Sequence, residues 1–91
     1  MASYYASSLA GNKTASGEKY DPELLTAAHK TLPFNTVVLV KSIRTGRSVV
    51  VRINDRGPYS KRRIIDLSEA AAKKIGIDRQ GVAEVKIYLL H

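Results

Sequence analysis

Apolar residues recur along this chain mostly at alternate positions, in short runs separated by turn residues. A period of two marks half-buried strands. Residues 48–54 (SVVVRIN) put Val49, Val51 and Ile53 on one face and Ser48, Val50, Arg52 and Asn54 on the other. Residues 36–43 (TVVLVKSI) are apolar on both faces through Val40, the pattern of a strand inside a closed barrel or sandwich. Arg44-Thr45-Gly46-Arg47 joins the two runs as a hairpin, with Gly46 at a position suited to positive φ. Residues 82–90 alternate Ala83, Val85, Ile87 and Leu89 with Glu84, Lys86 and Tyr88, which predicts a final strand with one buried face. Residues 2–6 read as a short first strand.

The spacing changes to that of a helix after Ile64-Ile65. Asp66-Leu67-Ser68 opens it, and Leu67, Ala71 and Ile75 then fall on one face. Ser68 is the N-cap, Glu69 and Lys73-Lys74 complement the helix dipole, and Gly76 is the stop. The prediction is a helix over 69–75. Asp21-Pro22 resembles a second helix start, but Thr31-Leu32-Pro33 closes the window. A single turn followed by an extended piece over 26–29 is expected there, with one continuous helix over 22–30 as the alternative. Residues 7–17 form a polar loop with turn signals at Gly11-Asn12 and Ser16-Gly17. Five or six short strands with one helix suggest a small mixed barrel, whose closure removes exposed edges.

Length and composition narrow the function. Ninety-one residues make one domain, 1–91, and 44% hydrophobic with 25% charged residues is ordinary for a globular protein. No run of about 18 apolar residues is present, so no membrane span is expected, and the N-terminus lacks the pattern of a signal peptide. The absence of cysteine excludes disulfides, thiolate nucleophiles and Cys-based zinc sites, and two histidines, His29 and His91, argue against a multi-His metal site. No metal and no cofactor are expected. Fifteen Lys and Arg against eight Asp and Glu leave a net charge of +7, which favours a polyanionic partner: nucleic acid, an acidic lipid surface or an acidic cell-wall polymer. Outside the cluster Lys61-Arg62-Arg63 the basic residues are scattered and no nucleic-acid-binding signature accompanies them, so nucleic acid is not the expected partner.

Four ionisable residues invite chemistry. Asp55 ends the 48–54 strand at the stiff turn Asp55-Arg56-Gly57-Pro58, flanked by Arg52 and Arg56; it either caps the turn or takes part in a reaction. Glu18 follows a Gly turn, His29 ends Ala27-Ala28, and Asp66 precedes the helix. Each has a structural reading as well: a solvated loop residue, a hydrogen-bonded histidine, and a carboxylate bound to helix amides. Together they could supply an acid–base site, in which one carboxyl is kept protonated by an apolar wall or a neighbouring carboxylate. Chain order alone does not bring Glu18 and Asp55 together.

Several runs resemble the signature blocks of the rare lipoprotein A family. They are Ala2-Ser3-Tyr4-Tyr5, residues 14–21 (TASGEKYD), 25–34 (LTAAHKTLPF), 51–59 (VRINDRGPY) and 63–68 (RIIDLS). The resemblance implies a mainly β fold, a six-stranded double-psi β-barrel with one or two short helices, shared with expansins and some glycoside hydrolases. It also implies lytic transglycosylation of peptidoglycan glycan strands stripped of their stem peptides, by a monomer in the bacterial cell envelope, periplasmic or extracellular. The matching blocks make Glu18, His29 and Asp55 the catalytic set. Asp55 would be the acid, held protonated by Glu18, with His29 orienting a carboxylate or the substrate. Arg52 and Arg56 would contact lactyl carboxylates, and Tyr5 and Tyr59 would offer sugar-stacking faces. The competing expectation is a glycan-binding, expansin-like module on the same barrel. The lipobox and the sporulation-related repeat that many family members carry are not seen in the sequence.

Overall fold

The computed structural model describes residues 1–4, 10–78 and 81–90. Among the described residues, seven strand segments and one helix follow one another: β1 (Ala2–Tyr4), β2 (Thr26–His29), β3 (Val37–Ser42), β4 (Ser48–Asp55), β5 (Ile65–Leu67), α1 (Glu69–Lys74), β6 (Val82–Ala83) and β7 (Val85–Leu89). All seven strands belong to one sheet in the order β6-β1-β5-β2-β4-β3-β7. β6 and β7 are a single run of chain interrupted at Glu84, whose carbonyl accepts from Ile43 N–H at 3.1 Å. The last run therefore touches β1 at one end and β3 at the other, which closes the sheet into a barrel.

Two parallel pairs are set into this otherwise antiparallel sheet. β1 runs parallel to β5 and β2 parallel to β4, while β2 and β5 are antiparallel to each other at the centre. Parallel neighbours cannot be joined by a hairpin, so long connections must cross the barrel ends. The C-terminal ends of β2 and β4 consequently lie side by side, with His29 on one and Asp55 on the other.

The barrel interior is filled by the inward residues of the strands. Val49, Val51 and Ile53 are buried as the alternation predicts, and Val38, Val40, Ile65 and Leu67 meet them. Helix α1 packs its Ala71 and Ala72 into the same core, followed by Ile75 and Ile77. Truncating a fully buried residue such as Ile53 to Ala would cost about 2–5 kcal/mol. Ser68 caps the helix as expected, its Oγ accepting from Ala71 N–H at 3.3 Å and donating to Leu24 C=O at 2.6 Å. Gly76 sits at φ 77°, where a side chain would strain the helix exit.

Some expectations change. Residues 26–29 are extended, so the continuous helix over 22–30 does not form. Asp21 instead closes a turn, its Oδ1 accepting from Glu23 N–H at 2.9 Å. Asp66 and Leu67 belong to β5 rather than to the helix entry, because pairing with both β1 and β2 outweighs their position before a cap. β3 is not apolar-buried on both faces: Val37 is exposed and Leu39 half-buried. They share an outer row with Val50 and Tyr88 on the flanking strands. Leu89 is 55% exposed despite its apolar phase, because its only strand partner is Val38, on one side. The final residues of the 2–6 strand, Tyr5 included, lie outside the described residues.

Candidate active site

The site begins with an irregularity in the β2–β4 pairing. Ala27 is level with Ile53, but Ala28 is level with Asp55, so Asn54 is an extra residue on β4. Plain alternation would send Asp55 inward with Ile53. The bulge moves it to the face opposite the core, level with Ala28 on β2, Asp66 on β5 and Ser3 on β1. Asp55 and Asp66 thus stand two strands apart in one row, with Cα atoms about 10 Å apart from strand spacing alone. Ala28 stands between them and is fully buried.

A hairpin over residues 12–20 docks on the end of β4. Tyr20 N–H donates to Asn12 C=O at 2.8 Å, and Gly11 N–H to Tyr20 C=O at 2.9 Å. Its tip turns at Gly17, φ 92°, with Thr14 N–H donating to Glu18 C=O at 2.7 Å. Three contacts fasten the tip to β4. Ala15 N–H donates to Asp55 Oδ1 at 2.7 Å, Ser16 N–H to Asn54 C=O at 3.3 Å, and the Glu18 carboxylate receives both nitrogens of the Arg52 guanidinium at 2.6 and 2.8 Å. Arg56 N–H also donates to Asp55 Oδ1 at 2.8 Å. Both backbone donors meet the same oxygen, Oδ1.

The electrostatics assign unlike states to the flanking groups. The hydrogen bonds from Arg52 hold the Glu18 carboxyl below the usual carboxylate range, more than its own partial desolvation raises it, and Asn54 adds to the lowering. Glu18 is therefore an anion at neutral pH. Its charge is balanced by Arg52, so it is poorly placed to hold Asp55 protonated by repulsion. Asn35, at φ 72°, lends its Oδ1 to Arg52 at 3.1 Å and completes the clamp.

His29 is fixed by its own loop. Its Nδ1 accepts from Thr31 N–H at 3.2 Å and Leu32 N–H at 3.1 Å. Two donors on one nitrogen require a lone pair there, so the proton sits on Nε2. Burial depresses the His29 pKa, and the charges of Arg56 and Lys30 depress it further. The ring is a neutral Nε2–H donor.

The remaining candidates separate by how they are held. Arg56 points its guanidinium at Leu32 C=O (2.7 Å) and His29 C=O (3.3 Å) and lies 4.2 Å from the centroid of the Phe34 ring. It ties the end of β2 to the end of β4. Tyr59 is 91% exposed and borders a groove of about 370 Å³ that continues past Arg56 and Ser60 to Arg63 and Asp66. Tyr5 lies outside the described residues.

Asp66 is the residue that sequence reasoning set aside. Its carboxylate accepts from Ser3 Oγ and faces Arg63, with no bond to the helix amides. The cue was a polar residue between Ile65 and Leu67, both fully buried; that single alternation marks a strand face rather than a cap. Among the described residues no group of three or more His, Asp or Glu is placed to hold a metal ion, and no helix is long and apolar enough to cross a membrane.

A closed barrel with two interlocked parallel pairs, carrying its polar cluster where β2 and β4 end, is a double-psi β-barrel. The family model described as "Lytic transglycolase" matches residues 1–87, and the chain belongs to that family, as an RlpA-like domain. It is 54% identical over 91 residues to the "Endolytic peptidoglycan transglycosylase RlpA" of Haemophilus influenzae, covering 100% of this chain and 32% of that protein. Over 86 residues it is 52% identical to the protein of the same name from Pseudomonas aeruginosa, covering 94% of this chain and 25% of that one. The chain thus spans about a third of the length of the curated relatives it matches. Among solved structures, the "Streptomyces papain inhibitor (SPI)" superposes with a TM-score of 0.76 at 25% identity, covering 99% of this chain and 90% of that one.

Proposed function

We propose that this domain is an endolytic peptidoglycan lytic transglycosylase, cutting between N-acetylmuramic acid and N-acetylglucosamine in peptide-stripped strands and leaving 1,6-anhydro-muramyl ends. The observation that carries the reading is the environment of Asp55. One carboxylate is lifted out of strand alternation by a bulge and fixed through Oδ1 by two backbone N–H groups. Beside it stand a neutral histidine and a clamped anion. The names of the relatives support the substrate class and an envelope location.

Asp55 gives its proton to the glycosidic oxygen. The bond from that oxygen to the muramyl anomeric carbon breaks, its electron pair leaves with the oxygen, and an oxocarbenium-like centre remains. The muramyl C6 hydroxyl attacks that centre, and its proton passes to the Asp55 carboxylate. The acid is regenerated and no water is consumed, so one acid–base residue suffices. Glu18, ionised at neutral pH, is an acceptor that fixes a sugar hydroxyl or amide N–H instead of a second acid. His29 donates through Nε2 to a carboxylate or to the substrate.

The test is mass analysis of products from purified peptide-stripped strands, wild type beside Asp55→Asn. Anhydro-muramyl ends from the wild type and none from the variant are expected; equal release from both would remove Asp55 from the role. A second reading is glycan binding without cleavage: a barrel of the same fold is also found in a protein named as a papain inhibitor, so the fold by itself does not imply glycan cleavage. Retention on purified sacculi with no new ends would select it.

A further inference from the structure

Three arginines border the Asp55–Ala28–Asp66 row, and they are not equally available. Arg52 spends both terminal nitrogens on Glu18 and one of them again on Asn35. Arg56 is turned toward backbone carbonyls and stacked on Phe34. Arg63 differs. Its Nη1 donates to Ser3 Oγ at 2.9 Å and stands 3.8 Å from Asp66 Oδ1, beyond hydrogen-bond distance, and the side chain is 38% exposed. Asp66 Oδ1 is itself taken by Ser3 Oγ. A guanidinium carries five N–H donors in a planar fork. Among the described residues no protein acceptor meets its Nε or Nη2 edge.

Arg63 and Tyr59 both line the groove of about 370 Å³. Lys30 adds positive charge nearby, its Nζ held by Ser60 C=O at 2.7 Å. A cationic fork beside an exposed aromatic face suits a sugar that carries a carboxylate: the ring lies on the tyrosine and the acid meets the fork.

Building on the transglycosylase reading, we propose that Arg63 is a specificity-determining residue that reads the free lactyl carboxylate of a muramyl unit, with Tyr59 as the platform for that sugar. A stem peptide converts the same carboxyl to an amide. This removes the charge that the fork pairs with and adds bulk at the groove. Arg63 thereby makes the distinction between stripped and peptide-bearing strands at a position separate from the bond that is cut.

The experiment measures equilibrium binding in the Asp55→Asn background, which leaves the strands intact. Two probes are used: peptide-stripped glycan strands, and the same strands with every lactyl carboxyl converted to its methylamide. A parent with Arg63 in place should prefer the acid form by about tenfold or more, as a charge-assisted bidentate pair provides, and the preference should shrink with added salt. Arg63→Gln should bring the ratio near one while leaving affinity for the amidated strand unchanged. Arg63→Lys should fall between, since a point charge replaces the fork. A ratio that survives in Arg63→Gln would overturn the assignment to Arg63 and leave the transglycosylase reading standing. Equal loss on both probes would also overturn it, by making Arg63 merely structural. A parent that binds neither strand would overturn both readings.

Discussion

Arg52 and Glu18, 34 residues apart in sequence, are joined by two parallel hydrogen bonds of 2.6 and 2.8 Å across the end of β4. The pair is part-exposed, with side-chain exposures of 34% and 41%. An ion pair this open to water stabilises a fold by about 1 kcal/mol at most. Its effect on Glu18 is larger in kind, because it fixes both the orientation and the charge of the carboxylate. Glu18→Gln and Arg52→Gln should each lower activity tenfold or more while changing stability by about 1 kcal/mol or less. Urea unfolding read beside product release separates the two. A stability loss in proportion to the activity loss would make the clamp a folding element only.

For Asp55→Asn, the amide keeps an oxygen where Ala15 and Arg56 N–H need one. The hairpin tip should stay docked, and urea unfolding should show a change within about 1 kcal/mol. Turnover should fall by at least about a hundredfold, the usual scale for removing a general acid. Asp55→Ala removes the acceptor as well and should cost more stability than Asn does.

His29 links pH to stability. Its folded pKa lies below its ordinary value of 6.5, so below that value the unfolded chain binds more protons than the folded one. The contribution is complete above about 6.5 and is lost as pH falls through the folded pKa. Glu18 acts in the same direction at lower pH, its stabilisation fading as pH falls below its ordinary 4.5. A urea series from pH 7.5 to 4 should show stability falling toward acid. His29→Asn keeps an acceptor for Thr31 and Leu32 N–H but neither titrates nor offers Nε2–H. It should flatten the upper part of that curve, retain the fold and lose activity. His29→Leu should cost about 1–3 kcal/mol from two unpaired amides.

Asp66 and Ser68, two residues apart, should answer to different assays. Ser68 is buried and bonds Leu24 C=O and Ala71 N–H, so Ser68→Ala should cost about 1–3 kcal/mol of stability. Asp66→Asn leaves the helix cap intact and removes a negative charge beside Arg63. Binding of carboxylated strands should then tighten about two- to fivefold, with no change for amidated strands. Unchanged affinity for both would place Arg63 beyond the influence of Asp66.

Much of the frame was legible because it rests on local periodicity. Val49, Val51 and Ile53 declare the β4 face, and Ser68 with Gly76 brackets the helix. The blocks around Glu18, His29 and Asp55 were each visible, but only the fold brings the ends of β2 and β4 side by side and fastens the Glu18 hairpin to β4. What stayed hidden depends on pairing between distant segments. Nothing near Arg52 announces that its partner is Glu18 rather than a ligand, and Arg56 gives no local sign of its carbonyl partners in the turn after His29. The strand at Asp66 is only three residues long, too short for a period to outweigh the cap beside it.

The extra residue Asn54 bears on how such a site tolerates change in length. β4 serves the interior up to Ile53 and the opposite face from Asp55, with Asn54 as the extra residue between them. Removing Asn54 would leave a regular ladder with Asp55 still level with Ala28, at the cost of the carbonyl that accepts from Ser16 N–H. Adding a second residue there would instead bring Asp55 into the phase of Ile53, directing a carboxylate into a core of valine and isoleucine and taking from Ala15 its acceptor. Substitutions around the site leave this parity untouched, whereas a single-codon insertion at that point inverts it. For this stretch of chain, residue number matters more than residue type.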